Sequence, residues 1–274
     1  MNAGNAMKRF NSMVIFNSVV GTQTDGRRAQ LGRRCLLLLW CTPFVAASFF
    51  LFGCQENTAG LKSKEGIAMM SKPRRETPEW CNIWVTNANK NDMPRVLMIG
   101  DSITQAYYPG VEERLQGKAC CARLTTSASV CDPAFCEQLE SVLNQYDFQI
   151  IHFNNGLHGM DYNEREYRIG FNILVERLQT LQPKAILICA LSTPFKPDGS
   201  MASYNIRVDE RNSIVSEITK NAKISINDIH KPMQGHPEYY SDPVHYKDDA
   251  VGIQVEQTAG IILRYLDSRT SLGK

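Results

Sequence analysis

Residues 96–103 read Val-Leu-Met-Ile-Gly-Asp-Ser-Ile, an apolar run that leads directly into a glycine, an acid and a serine. A short apolar run bounded by glycine is typical of a buried strand. Glycine permits a tight turn, and a serine at the start of a following helix has its hydroxyl exposed beside free backbone N–H groups. The segment therefore predicts a strand, a turn and a helix, with Ser102 as a candidate nucleophile. The alternative is that Asp101 or Ser102 only caps the helix.

The chain after this segment continues the alternation of apolar strands and longer helical stretches. Asp132 is a suitable N-cap for one helix, because Pro133 follows it at the first helical position. Strands that alternate with helices predict right-handed βαβ units and a parallel sheet with helices on both faces, a three-layer α/β/α sandwich. We predict strands over residues 95–99, 119–124, 148–153, 185–191 and 223–227, and helices that include residues 111–115, 132–145, 164–181, 204–222 and 247–266.

The first 54 residues have the composition of an export signal. Arginines between residues 27 and 34 precede an almost uncharged apolar run over residues 35–53, an order typical of a signal peptide. The run is also long enough to cross a bilayer, so a stable N-terminal transmembrane helix is the alternative. Its last residues, Leu-Phe-Gly-Cys at 51–54, resemble the lipobox of bacterial lipoproteins. That resemblance implies a lipid anchor on Cys54 and an exported protein, anchored on the periplasmic or outer-membrane side, or secreted.

Composition also bounds the rest of the chain. Residues 55–78 are rich in Lys, Glu, Ser, Gly and Thr, which predicts a flexible tether before a folded domain over residues 79–274. The 30 basic and 28 acidic residues give a net charge of +2, and no concentrated basic face follows residue 80, so a nucleic-acid partner is not expected. No Cys and His spacing typical of a zinc site is present, so no metal is expected.

A serine hydroxyl is a weak nucleophile until a base removes its proton, so Ser102 needs a histidine at the same edge of the sheet. The chain has five histidines, and His152 lies within a predicted strand, where we expect a core residue. His245 closes the motif Asp242-x-x-His245, just before the last predicted helix. The aspartate can accept the Nδ1–H of that histidine and stabilise the imidazolium. The order of these motifs predicts a Ser102–His245–Asp242 triad.

At these two motifs the chain resembles the SGNH/GDSL hydrolase family, over nearly all of residues 94–267. Gly-Asp-Ser-Ile at residues 100–103 matches the family's nucleophile motif, and Asp242-x-x-His245 matches its acid and base. The resemblance implies a flavodoxin-like, five-stranded parallel sheet. It also implies that Ser102 is the nucleophile and that its backbone N–H is one donor to the oxyanion.

The resemblance implies two further oxyanion donors from the middle of the chain. Where the family has a glycine after its second strand, residues 123–129 contain none, and Ala128 takes that place. The third motif reads His-Phe-Asn-Asn-Gly-Leu-His-Gly at residues 152–159. Alignment on the glycine puts His158 where the family has asparagine, whereas one branch of the family places both Asn154 and His158 in the site. Asn154 and His158 therefore remain alternatives, with Asn155 a weaker third.

The chemistry implied is acyl transfer to water without a metal or organic cofactor. By family analogy, the substrate is a small-molecule or carbohydrate ester with a short acyl group, above all acetyl. The alternatives are a lysophospholipase or thioesterase, an acyltransferase, and a non-catalytic lipoprotein that keeps the fold for binding. A long apolar face beside Tyr107, Tyr108 and residues 193–204 would favour lipid, whereas exposed aromatic and amide side chains would favour sugar.

Overall fold

The computed structural model describes residues 73–272, and the predicted signal peptide, Cys54 and most of the predicted tether lie outside them. No helix within the described range has both the length and the apolar character needed to cross a bilayer. The strands are β1 (Cys81–Val85), β2 (Arg95–Gly100), β3 (Cys120–Thr126), β4 (Ile150–Phe153), β5 (Ile186–Ala190) and β6 (Ser225–Asn227). The α-helices are α1 (Ser102–Arg114), α2 (Pro133–Leu143), α3 (Glu164–Leu181), α4 (Asn205–Asn221) and α5 (Asp248–Leu272).

The strands form one sheet in the order β1-β3-β2-β4-β5-β6. Strands β2 to β6 are mutually parallel, so the predicted parallel sheet of five strands is present in the expected order. The sheet nevertheless has six strands, and the prediction of five is corrected. The additional strand β1 pairs antiparallel with β3, with Cys81 opposite Thr126 and Val85 opposite Ala122. Strand β1 thereby covers the edge of β3 that the parallel sheet leaves unpaired.

Helices cover both faces of the sheet, which confirms the predicted three-layer arrangement. On the central strand β2, Leu97 and Ile99 point into one core, together with residues of α2, α3 and α4. Val96 and Met98 point into the other, together with residues of α1 and α5. This alternation follows from the two-residue period of a strand that is buried on both faces.

Helix starts follow the capping residues in the sequence. The Asp132 carboxylate accepts a hydrogen bond from the Ala134 N–H at 2.8 Å, as expected of an N-cap before α2. Helix α3 begins with a capping box in which Asn163 and Glu166 each accept from the other's backbone N–H. Helix α1 begins at Ser102 and is longer than the predicted stretch, because it continues through Pro109. The start of α1 therefore lies at the carboxyl end of β2, where open parallel sheets bind their ligands.

Candidate active site

The turn between β2 and α1 presents the Ser102 hydroxyl. Asp101 is the N-cap, and its Oδ1 accepts from the Ile103 N–H at 2.9 Å. The capping role thus belongs to Asp101, which leaves the Ser102 side chain free for another partner. Position 100 has no room for a larger residue, because a Cβ there would lie 2.0 Å from the Thr104 Oγ1. The glycine lets the first turn of α1 pack directly against the end of the strand.

Ser102, His245 and Asp242 form a continuous hydrogen-bonded chain. The Ser102 Oγ lies 2.9 Å from the His245 Nε2, and the His245 Nδ1 lies 2.7 Å from the Asp242 Oδ2. The other carboxylate oxygen accepts the backbone N–H groups of Val244 and His245, each at 2.7 Å. Burial alone would raise the pKa of Asp242, but these N–H groups and the imidazole lower it overall. An ionised Asp242 fixes the hydrogen on Nδ1, so Nε2 can accept the serine proton.

The loop that carries His245 is tied to the domain by a pair of tyrosines. Tyr240 and Tyr246 form an antiparallel bridge around it. Their hydroxyls both donate to the carbonyl oxygen of Pro194, at 2.9 and 2.8 Å. Both rings are buried, and their centroids lie 4.5 Å apart. The loop therefore closes on itself and on the chain beyond β5, which places His245 over Ser102.

Two of the predicted oxyanion donors are already engaged elsewhere. The Asn154 carboxamide donates its hydrogens to the Ala190 carbonyl at 2.8 Å and to the Ser192 Oγ at 3.1 Å. The Ala128 N–H donates to the Thr126 Oγ1 at 3.0 Å. In this structure the hydrogens of both groups have partners within the protein, and the roles of Asn154 and Ala128 as oxyanion donors stay a prediction. The Asn154 amide bonds to groups at the end of the neighbouring strand β5, and the Ala128 N–H bonds to a side chain at the end of its own strand β3.

His158 lies in the same cleft as Ser102 and His245. Its Nδ1 lies 2.7 Å from the Glu76 Oε2, and no described residue has a hydrogen bond to its Nε2. The side chain is 20 % exposed. Burial alone would lower the pKa of His158, but the hydrogen bond to Glu76 and the charges of Asp101 and Glu76 together raise it overall. Of the four predicted oxyanion donors, Ser102 and His158 therefore lie together in the cleft.

The loop that carries His158 is held by Arg211, a residue for which the sequence predicts no role. This fully buried guanidinium donates to four carbonyl oxygens of the loop, those of Gly156 (3.0 Å), His158 (2.9 Å), Gly159 (2.8 Å) and Tyr162 (3.2 Å). Asn155 ties the same loop to the one after β3, because its amide donates to the Ala128 carbonyl and accepts from the Val130 N–H. These two side chains therefore position the loop without facing the nucleophile.

The cleft over Ser102 has a volume of about 640 Å³ and is open to solvent. One wall is strand β1 with the residues just before it, a segment outside every predicted site. Ten residues line the cleft: Glu76, Thr77, Pro78, Trp80, Cys81, Asn82, Ser102, Gln105, His158 and His245. The described part of the chain holds no group of three or more His, Cys, Asp or Glu side chains arranged to bind a metal ion.

The last residues of the predicted tether pack against the domain. The Arg74 guanidinium forms an ion pair with Glu166 at 3.0 Å, and its backbone N–H donates to the Tyr162 hydroxyl at 2.7 Å. Glu76 contacts His158, as described above. Ordered packing therefore begins before Glu79, the predicted start of the domain, and the residues just before that boundary contribute to the cleft.

Solved structures with the same fold are hydrolases. A protein from Bacteroides fragilis, provisionally described as an acylhydrolase, matches with a TM-score of 0.54 and 15% identity, over 65% of this chain and 93% of its own. A carbohydrate esterase of family 3 from Talaromyces cellulolyticus matches with a TM-score of 0.53 and 13% identity, over 64% of this chain and 99% of its own. The acetyl xylan esterase AlAXEase matches with a TM-score of 0.51 and 14% identity, over 61% of this chain and 99% of its own. The SGNH hydrolase and GDSL-like lipase descriptions occur among the further matches. No family model and no curated protein matches the sequence.

Proposed function

We propose that the chain is a serine esterase that hydrolyses short-chain acyl esters, with acetyl groups on carbohydrate as its natural substrates. The observation that carries this proposal is the unbroken chain of hydrogen bonds from Ser102 through His245 to Asp242. A serine, an imidazole and a carboxylate in this order are the groups that acyl transfer requires. Their place at the carboxyl end of the central strand agrees with where open α/β sheets bind ligands.

The reaction proceeds in two acyl transfers. His245 accepts the Ser102 proton as the serine oxygen bonds to the ester carbonyl carbon, and Asp242 stabilises the imidazolium that forms. The carbonyl oxygen becomes an oxyanion that the Ser102 N–H and His158 face. His245 then gives its proton to the departing alcohol, and the carbon–oxygen bond of the ester breaks. Water, deprotonated by His245, then attacks the acyl carbon, the bond from that carbon to the Ser102 Oγ breaks as His245 returns the proton to the serine, and the acid is released.

The lining of the cleft favours a sugar ester over a lipid. Tyr107 and Tyr108 are fully buried in the core, so no apolar face extends from them beside the nucleophile. The cleft instead contains the indole of Trp80 and the amides of Asn82 and Gln105. Aromatic faces with amide donors suit a sugar ring, and an open site places no tunnel around a long acyl chain. The description of AlAXEase as an acetyl xylan esterase agrees with acetyl as the acyl group.

Turnover of p-nitrophenyl acetate by the full chain tests the proposal. Ser102→Ala should abolish the activity, whereas Ser141→Ala, at an exposed serine of α2, should leave it unchanged. Acetylated xylo-oligosaccharides should then be deacetylated faster than lysophospholipids or acyl thioesters. Transfer of acetyl to an added sugar in place of release as acetate would indicate the acyltransferase. No turnover of any ester would leave the non-catalytic lipoprotein.

We also propose that the protein is exported and anchored through a lipid on Cys54. The support is the charge and hydropathy pattern of the first 54 residues together with the lipobox-like ending. Labelled palmitate should be incorporated by the full chain and lost in Cys54→Ser, which should appear in the soluble fraction. Cys41→Ser, in the same apolar run, is the matched control and should still be labelled. Membrane retention of the Cys54→Ser protein would support the transmembrane alternative.

A further inference from the structure

Glu76 connects the chain before the first strand to the His158 loop. One carboxylate oxygen lies 2.7 Å from the His158 Nδ1, and the other accepts the Gly159 N–H at 2.6 Å. The histidine and the glutamate are 82 residues apart in sequence. The carboxylate is therefore hydrogen-bonded to both the ring and the backbone of a loop that lines the same cleft as the nucleophile.

The partner on Nδ1 decides what Nε2 can do. An ionised carboxylate can only accept hydrogen bonds, so the His158 Nδ1 must carry a hydrogen. A neutral His158 would then present a lone pair from Nε2, which repels an oxyanion. Only the imidazolium carries hydrogens on both nitrogens. His158 can therefore donate to an oxyanion in this geometry only while it is charged.

The charges around His158 favour that state. Glu76 lies against its Nδ1, and the buried Asp101 carboxylate at the start of α1 acts in the same direction. The opposing cation is the Arg211 guanidinium, whose hydrogen bond is to the His158 carbonyl, and the general base His245 lines the same cleft. Burial lowers the pKa of His158, but the two carboxylates together raise it above the ordinary value. Glu76 also stays ionised, because its contacts with His158 and Gly159 lower its pKa despite burial.

We propose that Glu76 is a positioning residue that holds His158 as an imidazolium, so that the Nε2–H donates to the oxyanion formed when Ser102 attacks. This inference rests on the proposed esterase function and adds a second histidine–carboxylate pair to it. The hydrogen bond from a cation to an anion is about twice as strong as one between neutral groups. The site thus gains a positively charged donor opposite the general base.

The proposal fixes how the activity depends on pH. The pKa of His158 is raised, so this histidine keeps its proton to a higher pH than an ordinary histidine and loses it as the pH rises through that pKa. With Nδ1 still bound to Glu76, deprotonation turns Nε2 from a donor into an acceptor. Activity should therefore fall on the alkaline side, in kcat more than in KM, because the oxyanion exists only in the transition state and intermediate.

Glu76→Gln in the full chain tests the role of the charge. The glutamine oxygen can still accept from the Gly159 N–H while its NH2 group donates to the His158 Nδ1, which leaves a neutral ring with its hydrogen on Nε2. We expect kcat to fall about tenfold at neutral pH and the alkaline decline to disappear. Glu79→Gln is the matched control, because this glutamate lies in the same segment and pairs with Arg75, and the glutamine oxygen can still accept the Glu76 N–H that Glu79 accepts at 3.3 Å. Glu76→Asp should restore much of the activity and the alkaline decline.

A second readout does not depend on catalysis. Histidine C–H signals in the NMR spectrum of the unaltered protein, with His158 assigned through His158→Gln, should show His158 titrating above the usual value of about 6.5. Titration at or below that value would overturn the proposal even if Glu76→Gln fails to fold. A wild-type rate and pH profile in Glu76→Gln would overturn it too. If no ester is hydrolysed, the esterase function fails, and the titration still tests the ion pair.

Discussion

Two histidine–carboxylate pairs line the cleft around Ser102, and they differ in the hydrogen-bond partner of the histidine Nε2. In both, Nδ1 lies 2.7 Å from a carboxylate oxygen. The Nε2 of His245 lies 2.9 Å from the Ser102 Oγ, whereas no described residue is bonded to the Nε2 of His158, which lines the cleft. The His245 side chain is 45 % exposed and the His158 side chain 20 %. The same two groups can therefore supply a base in one place and a charged donor in the other.

The pairs differ equally in how the chain brings them together. Asp242 lies three residues from His245 and binds it within one loop, so the pair is local. Glu76 reaches His158 across 82 residues and depends on the packing of the segment before β1. A local pair can be recognised as a motif, but a long-range pair requires the fold. Substitutions in each pair can test whether His245 acts as the base and His158 as the oxyanion donor.

The largest effect is expected from the local pair. His245→Gln removes the base, and kcat for p-nitrophenyl acetate should fall about 10⁴-fold or more, because the serine then keeps its proton. His236→Gln is the matched control, since His236 also has its Nδ1 on a carboxylate, that of Glu238 at 2.8 Å, but lies outside the cleft. Equal rates in the two variants would remove the basis for assigning the base.

The long-range pair should matter less. His158→Gln should lower kcat by about 10²- to 10³-fold, the usual cost of one oxyanion donor, with little change in KM. Asn154→Ala serves as the comparison, because its amide donates to Ala190 and Ser192. Any loss in that variant should follow the loss of stability. A larger fall in kcat for Asn154→Ala than for His158→Gln, in folded proteins, would restore asparagine as the donor.

Stability should depend strongly on the residue that holds the His158 loop. Arg211→Met removes the donor to four carbonyl oxygens and should lower the free energy of unfolding by about 3 kcal/mol or more, because buried acceptors lose their partners. Urea denaturation followed by circular dichroism measures the change. Arg168→Met is the control, because Arg168 pairs with Glu217 on the surface, where solvent screens the ion pair, and its loss should change the stability far less. Similar midpoints for both variants would contradict the role given to Arg211.

The smallest effect is expected at the loop that holds His245. Tyr246→Phe removes a buried hydroxyl that contacts the Pro194 carbonyl at 2.8 Å and the Tyr240 hydroxyl at 3.0 Å, while Tyr240 still donates to the same carbonyl oxygen. The free energy of unfolding should fall by about 1 kcal/mol and kcat by severalfold at most. A loss comparable to that of His245→Gln would mean that the tyrosine pair takes part in catalysis and does not only position the loop.

Most of the fold could be predicted from the sequence because its signals are local. Helix α3 has the predicted bounds, since the apolar period, the Asn163 cap and the stop at Pro183 all lie within the segment. The five parallel strands were predictable as apolar runs between helices. Strand β1 was missed because it is half-exposed and owes its conformation to pairing with β3.

The site was predictable to the same extent and for the same reason. The residues of the first and last motifs lie together as expected, because each motif is set by a single turn. The contacts of Asn154 with Ala190 and Ser192 were not predictable, because they depend on how the ends of β4 and β5 pack together. Glu76 and Arg211 were missed because their hydrogen-bond partners in the His158 loop are at least 49 residues away in sequence.

The most direct test of the account is active-site labelling of the full chain with a fluorophosphonate, which reacts with an activated serine. Mass spectrometry should locate the label on Ser102, and His245→Gln should suppress it, while His236→Gln should not. A label on another serine, or none on the folded protein, would contradict the account.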